Sequence, residues 1–170
     1  IRDGKQLGVK TVLIAGAGEP LMAKNFWEIV SFIKEQNLNV IVFSNLSLIT
    51  HQIAEKLYKN EVAIIGKLNS FKKETQEKYI GNLKGAYEKM QMGLKNLIDI
   101  GYTRLNNNHE TMLALETSIL HDNVHELYDF WVYCRNHNMF PIVDTIYYQG
   151  KATESAYEDY LVDYPVVRDA

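Results

Sequence analysis

Apolar residues along this chain follow two alternating rhythms. Short, nearly continuous apolar runs rich in Val, Ile and Leu occupy 12–15, 39–44, 62–68, 112–119 and 141–148. Between them lie longer segments whose apolar residues recur every three or four positions, as on one face of a helix. The short runs predict strands of a helix-covered parallel sheet. The longer segments predict helices over 23–36, from Thr50 onward, over 85–100 and from Asn123 onward. Phe26, Ile29, Val30, Phe32 and Ile33 make the apolar stripe of the first, and Ile53, Ala54 and Leu57 that of the second. Thr50 is a suitable N-cap, and Gly101 a suitable residue to end the third helix. On the fourth, Leu127, Phe130, Trp131 and Cys134 are expected to face inward. Residues 1–10 read as a last helical turn running into a strand, 72–79 as a charged segment, and the Tyr-rich tail after Gly150 as having no regular element.

This alternation predicts an α/β fold built on a parallel sheet. Five strands fit an open doubly wound sheet and part of a (β/α) barrel equally well. A length of 170 residues suits one domain with a sizeable core. With 46% hydrophobic and 23% charged residues, the composition is that of a globular protein and not of a disordered one. A net charge of −3 gives no electrostatic basis for nucleic-acid binding, so none is expected. No apolar stretch has the length of a membrane span and none reads as a signal peptide, so no membrane association is expected. Cys134 is the only cysteine, which excludes an intrachain disulfide or a thiolate metal cage and agrees with a cytoplasmic setting. Ile1 opens the chain without Met, midway through a βα unit, which reads as a portion of a longer protein.

Polar residues gather where the apolar runs end: Glu19; Ser44 and Asn45; Lys67, Asn69 and Ser70; Glu116 and Thr117; Asp144 and Gln149. Parallel α/β proteins place functional groups on that rim, because its loops stand on a rigid scaffold. The first run stops in Gly16-Ala17-Gly18-Glu19-Pro20. Its glycines permit positive φ and leave backbone bare to a ligand, although a plain tight turn uses the same chemistry. Lys67 and Glu116 lie within strands, where charge is costly unless paired or used. They read either as a structural ion pair or as ligand contacts. His121 and His125 are four apart, but Asp122-Asn123-Val124 between them reads as an N-cap turn with no third ligand, so no metal site is expected. Cys134 reads as a core thiol, Lys72-Lys73-Glu74 as a solvated face, and Arg135 as reaching either the rim or a surface carboxylate. Tyr147, Tyr148, Tyr157 and Tyr160 read as cover for a barrel edge or a neighbouring domain.

In order, these features resemble the radical S-adenosylmethionine (SAM) enzymes. Gly16-Ala17-Gly18-Glu19-Pro20 is similar to their Gly-Gly-Glu-Pro motif. Val42-Phe43-Ser44-Asn45 with Leu48-Ile49-Thr50 resembles their Thr-Asn-Gly-x-Leu-Ile strand end. Gly66-Lys67-Leu68-Asn69-Ser70, Glu116-Thr117-Ser118-Ile119, Asn123 and Gln149-Gly150-Lys151-Ala152 follow in the family's sequence, so the likeness covers about residues 8–152. It implies a partial (β/α)6 TIM-like barrel over 1–152, truncated at its N-terminal strand, with 153–170 a tail or the start of another region. It further implies a [4Fe–4S] cluster that cleaves SAM reductively to start radical chemistry, on a small-molecule or peptide substrate, with electrons from a flavodoxin or ferredoxin. Gly16, Ala17, Gly18 and Glu19 would hold the methionyl amino group, and Asn45 belongs to the same rim. Lys67, Asn69 and Ser70 would approach the methionyl carboxylate or ribose, Glu116 and Asn123 the ribose and adenine, and Asp144 substrate or SAM.

The family's three-cysteine loop is absent, since one cysteine cannot ligate a cluster held by thiolates. Leu46 stands where the family has a glycine, and Leu adopts positive φ less cheaply, so a different turn is expected there. Two other readings use the same residues: a SAM- or nucleotide-binding scaffold without the cluster, and an unrelated α/β enzyme that cradles phosphate on the glycines. Glu19 opposes the second, because a carboxylate repels phosphate unless a metal intervenes.

Overall fold

A computed structural model of the chain describes residues 1–16, 18–145, 161, 162 and 164–169. Ala17 lies outside the described residues, as do Tyr147, Tyr148, Gln149, Gly150, Lys151, Ala152, Tyr157 and Tyr160. Strands β1 (Thr11–Ile14), β2 (Asn39–Ser44), β3 (Val62–Lys67), β4 (Leu113–Ile119) and β5 (Phe140–Thr145) lie side by side in chain order. Every neighbouring pair is parallel. The sheet curls into a half-barrel, so the fold is a partial TIM-like barrel of the α/β class and not an open doubly wound sheet.

Strand alternation divides the side chains between two faces. Val40, Val42, Val62, Ile64, Leu113 and Leu115 point to the convex face and are buried in a single core. Helices α2 (Phe26–Glu35), α3 (His51–Lys59), α5 (Ala86–Ile100) and α6 (Leu127–Asn136) supply its other half through Phe26, Ile33, Leu57, Leu94, Leu97, Phe130 and Cys134. The concave face carries Leu13, Ile41, Phe43, Ala63, Ile65, Lys67, Ala114, Glu116, Ser118, Ile142 and Asp144 by the same parity. There the apolar side chains are only half-buried, and Leu13 is exposed.

Local chemistry accounts for the boundaries. The Thr50 hydroxyl accepts from the Ile53 amide and starts α3 as expected. Gly101, left-handed with φ 109°, ends α5. Helix α1 (Arg2–Gln6) precedes β1, again as expected. The first long helix begins at Phe26 and not at residue 23, because Pro20–Met22 form a separate 3-10 turn and Ala23 is extended.

Trp131 corrects an expectation: it is half exposed, about 100° around α6 from Phe130, whereas Phe130 and Cys134 define the buried stripe. Ile29 likewise lies outside the buried stripe of α2, and Phe32 is half-buried. Two short helices were not expected: α4 (Lys73–Tyr79) in the charged segment and α7 (Tyr164–Asp169) in the tail. Lys72, Lys73 and Glu74 are exposed, but Gln76 on the same helix is fully buried. Among the described residues, no helix is long and apolar enough to cross a membrane.

Candidate functional site

At the end of β1 the Glu19 carboxylate ties two loops together. Its Oε1 accepts from the Ser44 hydroxyl at 2.9 Å and from the Leu21 amide at 3.4 Å, and its Oε2 from the Asn45 amide at 2.7 Å. Ser44 in turn accepts from the Leu46 amide at 3.0 Å, and the Asn45 side-chain oxygen from the amide and hydroxyl of Ser47. The loop beside Glu19 is open, for a Cβ built on Gly16 or on Gly18 meets nothing within 4 Å. Gly16 does not use the left-handed region, so its value is bare backbone and free space. Leu46 corrects the expected change of turn. It takes φ 67° despite its side chain, and the turn keeps the geometry a glycine would favour.

On the concave face, Lys67 and Glu116 are register partners on β3 and β4. The Lys67 ammonium donates to Glu116 Oε1 at 2.8 Å and to the Ser118 hydroxyl at 2.6 Å. Glu116 Oε2 lies 2.6 Å from the same nitrogen, off the hydrogen-bond direction, and has no other partner among the described residues. The Glu116 side chain is 7% exposed and that of Lys67 27%, so the pair has a buried acid and a base that meets solvent. Asp144 on β5 is the register partner of Ser118 on that face; it is exposed and accepts from the Thr145 amide.

The loops after β3 and β4 are locked together by amides. Asn123 is buried, and its side-chain nitrogen donates to the carbonyls of Asn69 and Ser118 at 2.7 and 2.9 Å, while its oxygen accepts from the Leu120 amide. Asn69 Oδ1 accepts from the Ser118 amide, and the Thr117 hydroxyl donates to the Asn69 carbonyl. Gln76 Oε1 accepts from the amides of Asn69 and Ser70, and the Ser70 hydroxyl donates to Glu126 at 2.7 Å. These side chains are spent on shaping backbone.

Glu126 carries no sequence signal beyond lying on a predicted helical segment, and Gln76 none at all within its charged segment. Ser118 is signalled by parity, two residues beyond Glu116. Lys72 and His125 meet at 3.3 Å beside Glu126, on the outer side of the same loops. The exposed Arg135 instead lines a cavity of about 540 Å³ with His109 and Phe140, at the N-terminal ends of the strands. Cys134 is fully buried in α6, and burial pushes its thiol up to about 12.

Parallel half-barrel and polar rim define a TIM-like α/β protein with polar side chains gathered at its strand ends. Two curated proteins resemble its sequence. An Fe-coproporphyrin III synthase of Methanosarcina barkeri is 30% identical over 59% of this chain and 25% of that protein. A probable GTP 3′,8-cyclase of Methanocaldococcus jannaschii is 31% identical over 79% of this chain and 42% of that protein. The chain thus spans less than half the length of the curated relatives it matches. Among solved structures, native anSMEcpe with bound AdoMet superposes with a TM-score of 0.63 at 15% identity, covering 87% of this chain and 41% of that one. The same protein with AdoMet and Kp18Cys peptide gives 0.64 at 13%, covering 89% and 41%. No protein-family model matches. The chain belongs to the radical SAM superfamily.

Proposed function

We propose that this chain is the SAM-binding portion of an enzyme that cleaves SAM reductively at a [4Fe–4S] cluster to start radical chemistry. The cluster's thiolates lie outside these residues, because the single cysteine is buried among core side chains and held as a neutral thiol. SAM itself suits the rim. Open backbone at Gly16 and Gly18, with Ala17 between them and the Glu19 carboxylate beside them, offers carbonyls and negative charge to an ammonium. Lys67 presents a partly exposed cation to a carboxylate or ribose, and Glu116 is an acceptor beside it. Asn45 and Asp144 flank these groups. Asn69, Ser70 and Asn123 contribute by fixing the loops that carry them. Bound SAM supplies the organic radical chemistry, and the barrel binds, orients and excludes water.

The reading is carried by the Glu19 tie between the first two strand ends, together with the superfamily membership. One structural relative was solved with a bound peptide, which favours a peptide or a molecule of similar size as substrate here. A flavodoxin or ferredoxin is the proposed electron donor. Anaerobic reconstitution of the full-length protein, followed by assay for 5′-deoxyadenosine from SAM and dithionite, tests it. Product is expected. SAM binding without cleavage would leave the non-catalytic scaffold, and absence of SAM binding would overturn both.

A further inference from the structure

The loop after β2 that holds Asn45 is gripped from behind by α5. Gly93 is buried on α5, and a Cβ there would sit 2.1 Å from the Leu46 carbonyl oxygen and 3.0 Å from its carbonyl carbon. One turn further on, the Asn96 side-chain nitrogen donates to the Ile49 carbonyl at 2.8 Å. From the sheet side, a Cβ on Gly66 would lie 2.9 Å from both terminal carbons of Leu46. Leu46 is therefore pinned between two glycines, its backbone against the helix and its side chain against β3. Hydrogen bonds carry the constraint onward: the Leu46 amide to Ser44 Oγ, the Ser44 hydroxyl to Glu19 Oε1, and the Asn45 amide to Glu19 Oε2.

We propose that Gly93 and Asn96 are positioning residues: they set the Ser44–Leu46 turn and, through Glu19, the loop that holds SAM. The effect on SAM rests on the function proposed above, whereas the mechanical link to Glu19 stands on the geometry alone. A side chain at Gly93 meets backbone and not a flexible tip, so helix or loop must shift, and the Asn45–Glu19 bond is in the path of that shift. Displacements of this size at a site cost about a hundredfold in function when they reach the reacting groups.

Gly93→Ala and Asn96→Ala, made in the full-length protein, test this with two readouts. Amide hydrogen exchange is expected to accelerate about tenfold or more at Asn45 and Leu46 relative to Val42 and Leu115. The SAM dissociation constant is expected to rise by about tenfold or more. Met139→Ala removes a buried side chain just before β5, at the far end of the sheet, and serves as the control for general destabilisation. It should lower the melting temperature without moving either readout.

Should Gly93→Ala fail to fold, Asn96→Ala reads the same two quantities. Unchanged exchange at Asn45 and Leu46 in the folded variants overturns the proposal, as does an equal acceleration in Met139→Ala. If the unsubstituted protein binds no SAM while exchange responds as stated, the function proposed above fails and the mechanical link stands.

Discussion

Leu46 shows how a residue that breaks a local rule is retained. A left-handed conformation costs an L-residue about 1–2 kcal/mol, and burying a leucine side chain returns about 1.5–3 kcal/mol. Here the side chain is buried over Gly66, so the exchange favours Leu. Lys67 and Glu116 pose the opposite case, since one charge of the pair is almost fully buried. Removing the base alone strands a buried carboxylate. Lys67→Met is expected to destabilise the protein by about 2–3 kcal/mol, a figure reduced from the fully buried case because Lys67 meets solvent. Lys67→Met with Glu116→Leu should recover most of that loss in urea denaturation. A double variant no more stable than the single one would show that the pair is not the source. Cys134 yields a simpler expectation. With its thiol buried and pushed up to about 12, it should resist iodoacetamide at pH 8 in the folded protein and react only in denaturant. The presence of charge at 67 and 116 was legible in the sequence. An ion pair between them was one of two sequence readings, and choosing it needed the register, which no single strand encodes.

At the scale of elements, periodicity revealed every strand among the described residues, because each carries an apolar run dense enough to stand apart from its neighbours. It failed where polar chemistry decides. Helix α4 shows no apolar stripe; it is anchored by Gln76, whose amide accepts from two backbone amides and contacts the Met90 sulfur. In sequence, one glutamine among charges looks like solvated surface. The start of α2 was displaced because Glu19, read as a ligand group, also caps the 3-10 turn that precedes the helix. Capping makes a direct test elsewhere: Thr50→Ala should cost about 1 kcal/mol, read as a lower urea midpoint at unchanged slope.

Asp122, in the turn after β4, is tied to α4 by Lys78, and that hydrogen bond, with a smaller one from His121, holds its carboxyl below its usual range. A depressed carboxyl adds stability above its unfolded pKa and loses it as pH falls through the folded value. Asp122→Asn should therefore matter at pH 6 and not at pH 2, by less than about 1 kcal/mol for so exposed a pair. Urea midpoints at the two pH values would measure it, and an equal effect at both would refute the assignment.

At the scale of the whole molecule, among the described residues, one contiguous core lies on the convex face of one sheet. Unfolding is therefore expected to be cooperative, with the far-ultraviolet dichroism and the fluorescence of Trp27 and Trp131 following one curve in urea. Separate curves would mean that α2 and α6, which carry the two indoles, come apart independently. The parallel sheet was legible from alternation, whereas curling into a half-barrel was legible only through the family resemblance, because periodicity says nothing about closure. Strand order has a temporal meaning as well. Since β1 to β5 are laid down in the order in which they pair, each strand leaving a ribosome finds its neighbour already made. The longest wait falls between β3 and β4, across residues 68–112, where loop closure is most costly and α4 and α5 must form first. Synthesis that stalls within that stretch exposes the hydrogen-bonding edge of β3. A chaperone that binds extended segments would find its best target at that moment.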